Sequence, residues 1–133
     1  MSTPSNIKSV REWLDQSSYD YETARAMFKT ARYIYTVFMC HLAVEKALKG
    51  LLLQAQKKDP PKTHHLLYLK EQTGIDFPDT HVAFLRLLND VSVPTRYPDQ
   101  LRAMLKQFNR KNARDVIAKT QELLSWLKKQ SLK

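Results

Sequence analysis

Residues 32–57 read RYIYTVFMCHLAVEKALKGLLLQAQK, and this stretch decides the fold. Ile34, Val37, Phe38, His41, Val44, Leu48, Leu52 and Ala55 recur mostly at steps of three and four. That spacing places them on one face of a helix. Apolar residues extend beyond that face, so the helix is expected to be surrounded rather than to lie on a surface. Pro60 and Pro61 stop it, because the residue before a proline is pushed out of the helical region.

Working outward, the same periodicity predicts a first helix over residues 7 to 29. Its stripe is Val10, Leu14, Ser17, Tyr21, Ala24 and Phe28, widened by Trp13 and Met27, with Ser5 or Asn6 as the cap. Downstream, Thr63 is a natural N-cap for a short helix carrying Leu66, Leu67, Tyr68 and Leu69 and ending at Gly74. A fourth helix is expected from about residue 78 to 89, with Val82, Leu85 and Leu88 inward and Asp76 as a cap. Two prolines then predict a loop over 90–99. A short helix over 100–107 and a long one from 109 to 129 complete the chain. The stripe of the last helix is Ala113, Val116, Ile117, Thr120, Leu123, Leu124 and Leu127. Only two glycines occur, Gly50 and Gly74, too few for a chain of hairpins. The reading is an all-α, up-and-down bundle of four to five helices, one domain over 1–133 with an ordered core at about 7–130.

Composition narrows the chemistry. The 133 residues carry 22 Lys plus Arg against 13 Asp plus Glu, a formal charge of +9, which favours nucleic acid, nucleotides or an acidic protein as partner. The cations are spread along the chain, with a modest cluster from Arg102 to Arg114. The single cysteine, Cys40, excludes an intrachain disulfide and sits in an apolar stretch, where a thiol is a small core residue. A reducing, cytoplasmic setting fits this. The N-terminus has no apolar signal core, and no run approaches the roughly 20 apolar residues that cross a bilayer. No membrane partner is expected.

Three segments can carry chemistry. His41, Glu45 and Lys49 are spaced four apart on a helix face that is otherwise apolar. They form either a structural network, since a buried carboxylate must be paired, or a polar patch lining a cleft. A metal site built from His41, Glu45 and a loop histidine has no ligand spacing to support it. Thr63-His64-His65 opens the third helix, where backbone N–H groups can hold an anion or one histidine can bond a carboxylate such as Glu45. Thr95-Arg96-Tyr97-Pro98-Asp99 offers a guanidinium fork for phosphate or carboxylate and a tyrosine that stacks or donates. The alternative is that Arg96 ties the loop to Glu45 or to a helix C-terminus. Gly-rich phosphate loops, cysteine pairs at metal spacing and Ser/His/Asp orderings are absent from the sequence.

Taken together, Ala43-Val44-Glu45-Lys46-Ala47-Leu48-Lys49-Gly50-Leu51, Thr63-His64 with Leu66, and Thr95-Arg96-Tyr97-Pro98-Asp99 resemble the HEPN domain family (higher eukaryotes and prokaryotes nucleotide-binding). The Ala31-Arg32-Tyr33 turn after the first helix belongs to the same resemblance, which runs from about residue 10 to 129. It implies a homodimer and frequent pairing with a minimal nucleotidyltransferase, often as a toxin–antitoxin-like module. No cofactor is expected. The resemblance carries over Glu45, Lys46, Lys49, His64, Arg96, Tyr97 and Asp99 as nucleotide- or partner-binding positions. Some members are metal-independent ribonucleases that use an arginine followed, after four to six residues, by a histidine. Arg32 precedes His41 by eight intervening residues, and no histidine follows Arg86 or Arg96, so that motif is missing. His65 also stands where the family often has an acid. Three readings stay open: a non-catalytic nucleotide- or partner-binding subunit, a ribonuclease toxin with a degenerate site binding RNA, and a structural antitoxin-like dimer without ligand.

Overall fold

In the computed structural model the described residues are 9–96 and 101–131, without the side chains of 93, 94 and 96. They form six helices: α1 (Val10–Lys29), α2 (Tyr33–Gln56), α3 (Leu66–Thr73), α4 (Asp79–Arg96), α5 (Leu101–Gln107) and α6 (Arg110–Ser131). The all-α reading holds, with six helices among the described residues rather than four to five.

The start of α1 is set by Ser9 rather than by Ser5 or Asn6, which lie outside the described residues. Ser9 Oγ accepts from the Glu12 N–H while the Glu12 carboxylate accepts from the Ser9 N–H, a reciprocal capping box. The far end turns through Ala31, whose φ of 62° is left-handed. The Arg32 N–H reaches the Met27 carbonyl at 2.7 Å and the Ala31 N–H reaches Phe28 at 3.0 Å. These two bonds satisfy carbonyls that the helix end would otherwise orphan, which offsets the cost of a left-handed alanine. α2 then runs back antiparallel to α1.

The expectation for α2 is met. From Cys40 to Leu52 all residues but Leu42 and Lys46 are buried, on every side of the helix. α1 packs tightly against α2 at Gly50, where an added Cβ would stand 3.2 Å from Trp13 Cβ and 3.3 Å from Leu14 Cδ2. The missing side chain lets the two helices pack at that distance.

α2 ends at Lys57, whose left-handed φ of 55° turns the chain before the prolines are reached. The segment 57–65 climbs back along α2, and α3 descends again to Gly74 at φ 67°. Its N-cap is His65, whose Nδ1 accepts from the Tyr68 N–H at 3.1 Å, and not Thr63. Thr63 Oγ1 instead accepts from the His65 N–H.

α4 corrects the loop expected over 90–99, since it continues through Pro94 to Arg96. A proline inside a helix costs about 3 kcal/mol. Here the surrounding turns are bonded by hydroxyls: Ser92 Oγ donates to the Asn89 carbonyl and Thr95 Oγ1 to that of Val91 at 2.6 Å. Ser92 and Thr95 are both buried, so packing holds this segment where the sequence pattern predicts a break.

α6 lies parallel to α2. Gln54 Nε2 donates to the Ser131 carbonyl at one end, and Arg110 stacks on Phe28 at the other. Leu123 and Leu127 enter the core, and Trp126 closes one end against Phe77 at 4.7 Å and His81 at 5.4 Å. Cys40 is fully buried beside the Thr120 hydroxyl, and burial pushes its thiol up to about 12, so it is an inert core residue as expected. No helix among the described residues is long and apolar enough to cross a membrane.

Candidate functional site

Glu45 sits in the middle of the most apolar helix and is 4 % exposed. A carboxylate so placed costs several kcal/mol unless it is paired, so its partners define the site. Lys49, one turn on, brings Nζ to 3.1 Å of Glu45 Oε2 and is itself buried. The indole of Trp13 lies 5.7 Å from that ammonium and supplies a π-face to it.

The third partner comes from the returning segment. His64 Nδ1 stands 2.9 Å from Glu45 Oε1 and 3.0 Å from Oε2. An ionised carboxylate only accepts, so Nδ1 carries the hydrogen and donates. That fixes the ring: in the neutral form Nε2 is the bare nitrogen, and it lies on the outward edge. The imidazole is tethered through Nδ1, and its side chain is 59 % exposed. A ring held this way takes up a proton at Nε2, or, protonated, donates from there to an anion.

Two further residues hold the segment that carries His64. His41 is fully buried, with Nε2 3.0 Å from the His64 carbonyl, to which it donates, and Nδ1 3.8 Å from Glu45 Oε1. Asn89 of α4 accepts the Leu66 N–H at 2.8 Å. The start of α3 is therefore pinned to α2 on one side and to α4 on the other. No group of three or more His, Cys, Asp or Glu side chains among the described residues is placed to hold a metal ion.

The expected residues divide into three groups. Glu45, Lys49 and His64 meet. Lys46 does not join them: its Nζ is 2.7 Å from Asp20 Oδ2 of α1, on another side of α2. Tyr97 and Asp99 lie outside the described residues, and of Arg96 only the backbone, the last residue of α4, lies within them. The sequence offered His41 as part of a structural network with Glu45 and Lys49, but not its bond to the His64 carbonyl. The signal was present, since a histidine on a fully apolar face needs a polar partner. The Asp20–Lys46 pair had no such signal: Lys46 was expected with Lys49 among the binding positions, and nothing local in the sequence ties it to Asp20.

That reassignment of Lys46 is testable. Lys46→Met leaves the Asp20 carboxylate, 9 % exposed, without its cation. The expected result in urea denaturation is a loss of about 1–3 kcal/mol, largely regained in Asp20→Asn combined with Lys46→Met.

A groove of about 870 Å³ also runs between α1 and α6, with Leu14, Tyr21, Ala47 and Leu124 among its lining and Arg11 and Lys128 at its rim. It is separate from the Glu45 network.

The comparisons with known proteins agree with this architecture. TT1696 from Thermus thermophilus, known as a crystal structure, is 25% identical with a TM-score of 0.77, and the match covers 90% of this chain and 96% of that one. The crystal structure of ST0689, described as an archaeal HEPN homologue, is 26% identical with a TM-score of 0.77, over 94% of this chain and 99% of that one. A search of curated proteins found no match. The family model for the HEPN domain matches residues 10–130, which takes in all six helices except the last residue of α6, and the chain belongs to the HEPN domain family.

Proposed function

We propose that this chain is a non-catalytic binding subunit that acts as a homodimer and presents the His64 edge to a nucleotide or to the active site of a minimal nucleotidyltransferase. One observation carries the reading: the Glu45 charge is spent internally on Lys49 and His64, and the outer edge of His64 is the part left for a ligand. Glu45 and Lys49 act as positioning residues. Arg96, at the end of α4, is the proposed phosphate fork, and Tyr97 and Asp99, which follow it in sequence, are proposed as binding positions with it. The absent arginine–histidine ribonuclease motif and the positive charge of the chain support binding over catalysis.

Calorimetric titration with nucleoside triphosphates tests it. Saturable heat is expected for the wild type. A loss of about tenfold or more in affinity is expected for His64→Ala, the effect of one charge-assisted hydrogen bond. Silence with every nucleotide, together with no co-elution with a nucleotidyltransferase, refutes the reading.

A second reading has one specific support. A carboxylate holding Nδ1 of a histidine whose Nε2 faces outward is the geometry of a general base. Cleavage of tRNA or total RNA in EDTA, abolished by His64→Ala, establishes a ribonuclease instead.

A further inference from the structure

The fold gathers cations that are far apart in sequence. α1 ends, α2 begins, and α5 and α6 begin or end at the same pole of the bundle, as the stacking of Arg110 on Phe28 at 4.9 Å shows. Met104 of α5 and Phe108, which follows α5, are buried in the same core as Ile34 and Val37 of the first turns of α2. This pole carries Arg25, Lys29 and Arg32 from one segment and Arg102, Lys106, Arg110, Lys111 and Arg114 from the other, all exposed. No carboxylate lies in either run, 25–32 or 102–114.

These eight residues account for nearly all of the net charge. Without them, fourteen cations face thirteen acids across the rest of the chain. Arg25 has a long contact to the exposed Glu22 at 3.7 Å. Among the described residues, Lys29, Arg32, Arg102, Lys106, Lys111 and Arg114 form no ion pair. Unneutralised cations crowded at one end repel one another and destabilise the folded chain, a cost that an external polyanion removes.

We infer that this pole is a binding surface for the phosphate backbone of single-stranded nucleic acid, separate from the His64 edge. It goes beyond the proposed function and does not rest on it. Five of the eight cations are arginines, which fork onto phosphate and stack on bases. Aromatic rings stand among them: Phe28 under Arg110, Tyr33 at 5.8 Å from Phe28, and Tyr35, 47 % exposed in the first turn of α2. Cationic side chains beside one exposed and two half-buried rings suit unpaired bases better than an acidic polypeptide or a lipid headgroup, neither of which offers a face to stack.

Fluorescence anisotropy with a labelled single-stranded RNA of about 20 nucleotides tests the inference. The test variant combines Arg32→Gln, Lys106→Gln, Lys111→Gln and Arg114→Gln. The control combines Lys57→Gln, Lys58→Gln, Lys128→Gln and Lys129→Gln, an equal change of charge at the opposite pole. All eight side chains are exposed, and thermal melts confirm that both variants fold. At about 50 mM salt the wild type is expected to bind, the test variant to lose about 30-fold or more, and the control to stay within about twofold. The slope of log affinity against log salt should flatten by about 0.7 for each lost phosphate contact in the test variant alone. Equal losses in the two variants would show diffuse attraction and overturn the proposal. So would no binding by the wild type, or equal affinity for polyglutamate or for anionic vesicles.

Discussion

Glu45→Ala is expected to lower the free energy of unfolding by about 3–5 kcal/mol, read from the urea midpoint at an unchanged slope. The carboxylate itself contributes little of that. Taking it out of water is expensive, and its attraction to Lys49 and His64 roughly offsets the expense. The loss comes from what remains: an ammonium 7 % exposed beneath Trp13 with no counter-charge, and a His64 ring without its anchor. Glu45→Gln separates the contributions. Its amide oxygen still accepts from His64 Nδ1, but Lys49 is left uncompensated, so an intermediate loss is expected. Glu45→Leu combined with Lys49→Leu removes both buried charges together, and most of the stability should return. His64→Ala alone should cost about 1 kcal/mol, because the ring is largely in solvent and its removal leaves Lys49 still paired. A Glu45→Ala protein with nearly full stability would show that the carboxylate is not what holds the returning segment to α2.

The sequence made the architecture legible because each long helix announces itself twice, by period and by punctuation. α2 was delimited within one residue at either end, and Gly74 marked the end of α3. The errors fell where tertiary packing competes with a local rule. Pro94 reads as a helix breaker, yet buried Ser92 and Thr95 carry α4 past it. Thr63 reads as a better cap than His65, yet the His41 contact to the His64 carbonyl sets the register of that turn. The site was legible in part. A glutamate on an apolar face requires partners, so Glu45, Lys49 and a histidine of the Thr63-His64-His65 run could be grouped before any coordinates. Lys46 could not be separated from Lys49, because adjacent faces of one helix look alike until the neighbouring helix is placed. The basic pole was invisible for the same reason. Residues 25–32 and 102–114 are modest clusters apart and become one surface only when α6 lies parallel to α2.

The second large effect concerns the same helix. Leu48→Ala is expected to cost about 2–5 kcal/mol, whereas Leu124→Ala on the face of α6 toward the groove should cost about 1 kcal/mol. Leu48 is fully buried on a helix packed by α1, α3, α4 and α6, so no single neighbour can collapse into the space it vacates. Leu124 is only partly buried and lines the α1–α6 groove, so its truncation opens no enclosed cavity. The pair also separates stability from recognition. Leu48 lies between Glu45 and Lys49 in sequence but faces the core, so its truncation removes contacts without removing charge. Nucleotide heat per folded molecule should then be unchanged in Leu48→Ala, measured at a temperature where the variant is folded, and reduced in Glu45→Ala under the same condition. Equal loss of binding in both would mean that the His64 edge depends on the rigidity of the whole helix and not on the carboxylate that holds it.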